Sequence, residues 1–376
     1  MYTKLPLLLR SSFLILLSTI FLTACGSSDT ADTGIGSGNS TATGVDMGDV
    51  TLLITDAPTS EYDEVNVVAE SVSLIGEGHE APLLKKHTRF NLLDLRNTFR
   101  KLSKSRCRVG TYSKVRFRIR DVELVKRNRD GTIAERVIPR LEKNMVDLNA
   151  RTQFAVDRLR KLIVKLDLDA DKSLSTDPET NEPVFNPDVT VDVDSVPTDT
   201  ELPPQEVTPV LMNQQGVARN VQTDSFQLCD PDLLSDCVQV NVDAETVVMD
   251  EVINVVSIGD ITENTLLQVI GHLDVNTDAI NALHVLKDGS RLNTYSGTLS
   301  GAVVSDSINF DITAGAQAGF TYPVTPASLA GVYDSAGNVL DINALGDGVN
   351  VEVIGFLSTF PPPGSVKPGV IIISAP

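Results

Sequence analysis

The chain has 376 residues, 41% of them hydrophobic and 22% charged, which is apolar enough to fold and long enough for two or three domains, so a wholly disordered protein is excluded. Aromatic residues make up only 5% and tryptophan is absent, so the cores must rest on valine, leucine and isoleucine. The net charge of −19 hides a division: residues 85–165 hold 24 of the 31 lysines and arginines but 8 of the 50 acids, a local balance of +16.

At the amino terminus Lys4 and Arg10 lead into an apolar run over 13–22, and small residues follow up to Cys25. This is the three-part pattern of a secretory signal, with an apolar run too short to span a membrane comfortably. Leu22-Thr23-Ala24-Cys25 resembles the lipobox of bacterial lipoproteins, which implies cleavage of residues 1–24 and lipidation of Cys25. Several acyl chains on one residue anchor durably, so a membrane is the first partner implied. An aspartate after the cysteine favours the inner membrane in the lipoprotein sorting pattern; Gly26 stands there, which points to the outer membrane. Residues 25–48, rich in Gly, Ser, Thr and Asp, read as a flexible tether.

Residues 49–196 show period-two patterns. Val50, Leu52 and Ile54 alternate with Thr51, Leu53 and Thr55; a second strand carries Val65, Val67 and Ala69 and, after a slip, Val72 and Leu74, before a turn at Gly76-Glu77-Gly78. Residues 88–95 read as a short strand, and Arg96 to Ser105 as a weakly helical, basic stretch. A clean strand then sets Val115, Phe117 and Ile119 against Lys114, Arg116, Arg118 and Arg120, and runs through Lys126 to a hairpin turn at Asn128-Arg129-Asp130-Gly131. Leu162, Val164, Leu166 and Leu168 alternate with Ile163, Lys165, Asp167 and Asp169, and Val189, Val191 and Val193 follow. Short alternating strands of this kind predict a β-sandwich.

The pieces Leu53-Ile54-Thr55-Asp56-Ala57-Pro58, Phe90-Asn91-Leu92-Leu93-Asp94-Leu95-Arg96, Gly110-Thr111-Tyr112-Ser113-Lys114-Val115-Arg116 and Leu166-Asp167-Leu168-Asp169-Ala170-Asp171-Lys172-Ser173 resemble, in that order, a bacterial lipoprotein domain of unknown function opening on a T-D-A-P motif. The resemblance implies an extracytoplasmic, prealbumin-like sandwich over about residues 48–194 and lends no activity. The basic stretch with Cys107 departs from the family's more neutral pattern.

Residues 197–206, with three prolines and several acids, read as a linker. Beyond it, residues 207–291 and 292–376 repeat one pattern, marked by Gln268-Val269-Ile270-Gly271-His272-Leu273 and Glu352-Val353-Ile354-Gly355-Phe356-Leu357. A glycine inside a late strand suits the sharp bend of a small barrel, and the repeats resemble a second family of unknown function with OB-like character. The fold class expected is therefore all-β: a sandwich followed by two small OB-like barrels, which are expected to reach outward from the membrane.

Cys229 and Cys237 bracket a seven-residue loop between alternating segments and predict a disulfide, in keeping with an oxidising compartment. Cys107 is left over; Arg106 and Arg108 would lower its pKa if it were exposed, and a buried inert thiol is the alternative. The spacing of Asp167, Asp169 and Asp171 supplies the hard oxygens calcium prefers, or else forms a solvated face or pairs with the basic stripe; no other cofactor is implied. Arg116, Arg118, Arg120 and Lys126 offer a surface to an anionic glycan or other polyanion, or are satisfied within the chain. No H-E-x-x-H, paired C-x-x-C, G-x-S-x-G or phosphate-loop sequence is present, and His79, His87, His272 and His284 lack metal-ligand spacing. The functional expectation is a noncatalytic envelope lipoprotein serving binding, adhesion or envelope organisation; the alternatives are an enzyme or accessory acting on envelope polysaccharide, or a calcium-stabilised scaffold. The sequence names no protein partner.

Overall fold

The computed structural model describes residues 46–57, 61–198, 210–231, 236–250, 252–287, 292–304, 307–325, 331–358 and 364–374. Cys25, the signal, nearly all of the tether and most of the linker lie outside the described residues. Strand occupies 65% of the molecule and helix 6%, so it is all-β.

The first part is built from β1 (Met47–Ala57), β2 (Glu64–Gly76), β3 (His79–Leu84), β4 (Thr88–Asn91), β5 (Arg100–Arg108), β6 (Gly110–Arg127), β7 (Ile133–Val137), β8 (Arg140–Leu141), β9 (Met145–Val156), β10 (Arg160–Asp169), the one-turn helix α1 (Ala170–Ser173), β11 (Leu174–Thr176), β12 (Pro183–Phe185) and β13 (Asp188–Pro197). One sheet has the order β13-β10-β1-β5, with β1 and β10 parallel. The facing sheet has the order β3-β2-β6-β7, with β4 also on β2 and β9 on β6. Alternate residues meet between them, Val50, Leu52, Ile54, Leu162 and Val164 packing with Val67, Leu74, Val115, Phe117 and Ile119. The slip read after Ala69 is a bulge: Val68 pairs with Asp121, then Ala69 with Ile119 and Ser71 with Arg118.

The second part contains β14 (Leu211–Arg219), β15 (Ser225–Cys229), β16 (Cys237–Asn241), β17 (Val247–Met249), β18 (Val255–Val256), β19 (Leu266–Leu273) and β20 (Ile280–Lys287); the third contains β21 (Asn293–Val304), β22 (Ser307–Ile312), β23 (Thr321–Val324), β24 (Gly331–Asp334), β25 (Asn350–Ser358) and β26 (Ser365–Ile373). Each closes a five-strand barrel, β14-β15-β16-β20-β19 and β21-β22-β23-β26-β25, with β16–β20 and β23–β26 the parallel closures. Gly271 and Gly355 sit where the pairing slips by one residue. A Cβ there would lie 2.3 Å from the carbonyl oxygens of Asn281 and Lys367, so the bend excludes a side chain.

Three expectations are corrected. The strand read over 88–95 ends at Asn91, and Leu92–Leu95 form a tight helical turn instead. Residues 96–105 are not helical: β5 pairs antiparallel with β1, burying Arg100, Leu102 and Cys107. The free edge of β1 offers a hydrogen-bond ladder that outweighs a weak local helical preference. Nor do the barrels reach outward, because the first covers the second face of the β1–β10 pair. Leu53 and Ile163, both fully buried, pack with Val210, Met212 and Val285. The two barrels also pack on each other through Leu211, Ile270, Leu286, Tyr333, Ile354 and Val370.

Charge joins the same interface. Lys161, 2% exposed, places Nζ 2.8 Å from Asp278 Oδ2 and donates to the carbonyl oxygens of Val275 at 2.5 Å and Asn276 at 3.2 Å. Lys104 reaches the same carboxylate at 2.6 Å, and Thr51 donates to its Oδ1 at 2.6 Å. Burial would raise the Asp278 carboxyl, but the hydrogen bonds from Lys104, Lys161 and Thr51 outweigh it and hold the group below its ordinary range. Asp278→Ala leaves the buried Lys161 without its counter-charge and is expected to cost roughly 3–5 kcal/mol in urea unfolding. A loss under about 1 kcal/mol, the scale of a solvated pair, would contradict this account.

Candidate functional site

The segment Asn91 to Arg100 is the hub of the molecule. Asn91 Oδ1 accepts from the amides of Val65 at 2.9 Å and Leu93 at 3.3 Å, which ties the segment to β2 and starts the turn Leu92–Leu95. Leu92, Leu93 and Leu95 bury themselves in the sandwich core, which leaves Asp94 and Arg96 on the side of the barrels. Phe99 then joins β14 as an added bridge, its amide donating to Leu211 O and its carbonyl accepting from Asn213 N, each at 2.8 Å. Asn213 Nδ2 donates to Asp94 O at 2.7 Å. On the side of the second barrel, Asn97 Nδ2 donates to Ser374 Oγ at 3.2 Å, and Arg96 approaches Glu352 at 3.9 Å. Glu352, raised by burial against the opposing pull of Arg96 and a hydrogen bond from Ser296 Oγ at 2.8 Å, is enclosed in the barrel wall.

These contacts leave a cleft of about 590 Å³ where the sandwich and both barrels meet. The sandwich contributes Asn66, Asp94, Arg96, Arg100 and Arg127; the first barrel Gln215, Asp230 and Leu266; the second Asn293, Tyr295, Ser296 and Gln317. The lining is polar and rich in amides. Arg127 pairs with Glu64 at one side, and Asp63 there accepts from the amides of Arg127 at 2.7 Å and Ala316 at 2.5 Å. Deeper in, Arg96 and Arg100 are 4% and 9% exposed, and Arg100 meets Asp230 only at 3.6 Å. Arg100 Nε has no hydrogen-bond partner among the described residues. Asp94 is raised to about 6, chiefly by burial and further by Glu64, against the lowering pull of Asn91, Arg100 and Arg96.

The sequence-predicted groups lie elsewhere. Arg116 forms a two-point pair with Asp147 at 2.7 and 3.0 Å; Arg118 approaches Glu70 at 3.8 Å, Arg120 meets Asp121 at 2.6 Å, and Lys126 meets Glu61 at 3.6 Å while capping the Tyr62 ring at 4.6 Å. The stripe therefore has carboxylate partners on its own surface. Asp167, Asp169 and Asp171 do not converge. Asp167 stands on β10 opposite Thr55 and Thr190, whereas Asp169 caps α1, accepting from Lys172 N at 3.0 Å and pairing with its Nζ at 2.6 Å. Asp171 follows inside α1, so the end of the strand is a cap rather than a chelating loop. Among the described residues no group of three His, Cys, Asp or Glu side chains could hold a metal ion. Cys229 and Cys237 are joined as a disulfide between β15 and β16. Cys107 is 1% exposed, and burial raises its thiol to about 11; the lowering expected from exposed Arg106 and Arg108 does not operate.

The cleft residues went unread in the sequence. The available signal was Leu92-Leu93-Asp94-Leu95-Arg96, where two charges interrupt an otherwise apolar run.

Residues 47–187 match the model of one family, described as a domain of unknown function, DUF4382. No curated protein and no solved structure matches the chain.

Behind the cleft, Asp56 bridges to Arg96 and is 5% exposed; Oδ1 accepts from Ala170 N at 3.0 Å. Burial raises its carboxyl to about 8, further helped by Asp167 and Asp169, against the pull of Ala170 N and Arg96. The folded pKa lies above the unfolded value, so its contribution to stability is fully present below the unfolded value near 3.8 and is lost as pH rises through about 8. Melting temperature should decline between about pH 5 and pH 8, and Asp56→Asn should flatten that decline. Equal slopes in the two proteins by thermal scanning would show that Asp56 is already ionised at neutral pH.

Proposed function

We propose that the protein is a noncatalytic binding module of a bacterial envelope, anchored through lipid on Cys25, with the three-body cleft as its ligand site. The observation that carries this reading is the cleft itself. Bodies that are already docked present a preorganised site, so a ligand need not bear the entropic cost of bringing them together. Polar groups from all three converge on it, and a preformed cleft of a few hundred cubic ångströms is the usual form of a small-ligand site. Its amides, Asn66, Gln215, Asn293 and Gln317, offer both donors and acceptors, as vicinal hydroxyls require. An envelope glycan is the ligand class this favours, and the lipid anchor would hold the site beside it.

The runner-up surface is the stripe Arg116, Arg118, Arg120 and Lys126, which would bind polyanions by field rather than fit. The two readings separate in a glycan and polyanion screen of the full-length protein in detergent at low and high salt. Cleft binding should survive high salt and the triple change of Arg116, Arg118 and Arg120 to Glu, and should be abolished by Asn293→Trp, which fills the cleft from an exposed wall position. Binding that vanishes with salt and with the triple change, yet tolerates Asn293→Trp, would move the site to the stripe.

A further inference from the structure

The arginines around the cleft are not equally engaged. At its margin Arg127 pairs closely with Glu64, and Arg89 with Glu123. The buried Arg100 stands off from its acid, 3.6 Å from Asp230 and beyond hydrogen-bond length. A guanidinium carries five donors in a planar fork, and here it is nine-tenths buried with Nε lacking any hydrogen-bond partner among the described residues. A buried donor of this kind carries a desolvation cost that a bound acceptor would relieve. The group that relieves it best is a carboxylate or phosphate, because both match the fork with two parallel hydrogen bonds.

The rest of the lining says what that anion is attached to. Asn66, Gln215, Asn293 and Gln317 surround the arginines with amides suited to hydroxyls. Stacking surface is scarce: Phe90 is 2% exposed, Tyr62, 7% exposed, is capped by Lys126, and Tyr295 alone of these three lining aromatics is partly exposed. Successive unstacked bases need several open aromatic faces, and one partly exposed ring favours a saccharide over a run of bases.

Building on the binding-site reading above, we infer that the cleft selects an acidic saccharide, with the sugar's carboxylate or phosphate seated on Arg100 beside Arg96 and its hydroxyls on the surrounding amides. The neutral part of the ligand would occupy the wall between Gln215 and Asn293, which belongs to both barrels, so recognition depends on all three bodies remaining docked.

The test is calorimetric titration of the full-length protein in detergent with trigalacturonate, its uncharged methyl ester, mannose 6-phosphate and a short oligothymidylate. The expected result is binding of the uronate or the sugar phosphate, with the carboxylate and phosphate sources distinguished by which of the two titrates. The ester should bind about tenfold or more weakly than the free acid, as loss of a charge-assisted pair implies. Arg100→Gln should lose a comparable factor and Arg100→Lys should recover part of it, with melting curves confirming that each variant is folded. Should Arg100→Gln fail to fold, the acid and ester comparison on the unaltered protein decides the matter alone. Equal affinity for acid and ester would overturn the inference while leaving a glycan-binding cleft standing, and a preference for oligothymidylate would overturn it in favour of nucleic acid. Failure of every probe to bind would remove both the inference and the binding-site reading.

Discussion

The arrangement depends on one parallel strand pair, β1 and β10, that is buried on both faces. Parallel ladders are at home where both faces are covered. One face, through Val50, Leu52, Ile54, Leu162 and Val164, builds the sandwich core. The other presents Thr51, Leu53, Lys161 and Ile163, all at most 2% exposed. Left to solvent, Leu53 and Ile163 would expose apolar area at about 25 cal/mol per Å². The first barrel covers them with Val210, Met212 and Val285. Once it is docked there, the hub segment around Phe99 extends β14, and the second barrel closes over the remaining side.

The same contact gives the charge division a structural meaning. The basic segment faces acidic partners supplied by the barrels: Lys161 and Lys104 meet Asp278, Arg100 meets Asp230, and Arg96 meets Glu352. Buried pairs of this sort add little net stability over an apolar contact of the same shape, but they are intolerant of a missing partner and so specify which surfaces dock. They differ in quality. At Asp278 the lysine ammonium groups lie within hydrogen-bond distance, whereas Arg100 in the cleft stays 3.6 Å from Asp230.

Much of the β-structure was legible in the chain because its period of two is local. The alternation in β6 and β10, the bulge after Ala69 and the turn at Gly131 each follow from neighbouring residues. Gly271 and Gly355 marked bends whose reason is steric, since the opposing carbonyl leaves no room for a Cβ. The basic stretch 96–105 misled because its local preference is weak and β1 decides its state from far away in sequence. For Asp167, Asp169 and Asp171 the spacing left a chelating loop, a solvated face and pairing with the basic stripe open, because spacing says nothing of direction; the strand ends in α1, whose first turn uses Asp169 as its cap.

By itself, then, the sequence determined most of the strands, their inward faces, the all-β class and the cysteines of the disulfide, since these rest on periodicity, turn chemistry and short separations along the chain. It also held the segregation of charge, without saying what the charges would meet. Only the tertiary structure decided that the outward face of β1 and β10 is a second interface, that Cys107 is buried, and that Asn66, Arg100, Gln215 and Asn293 share one cleft. Those residues come from three separately closed bodies, and their meeting is set by the shape and charge of surfaces that no local pattern encodes.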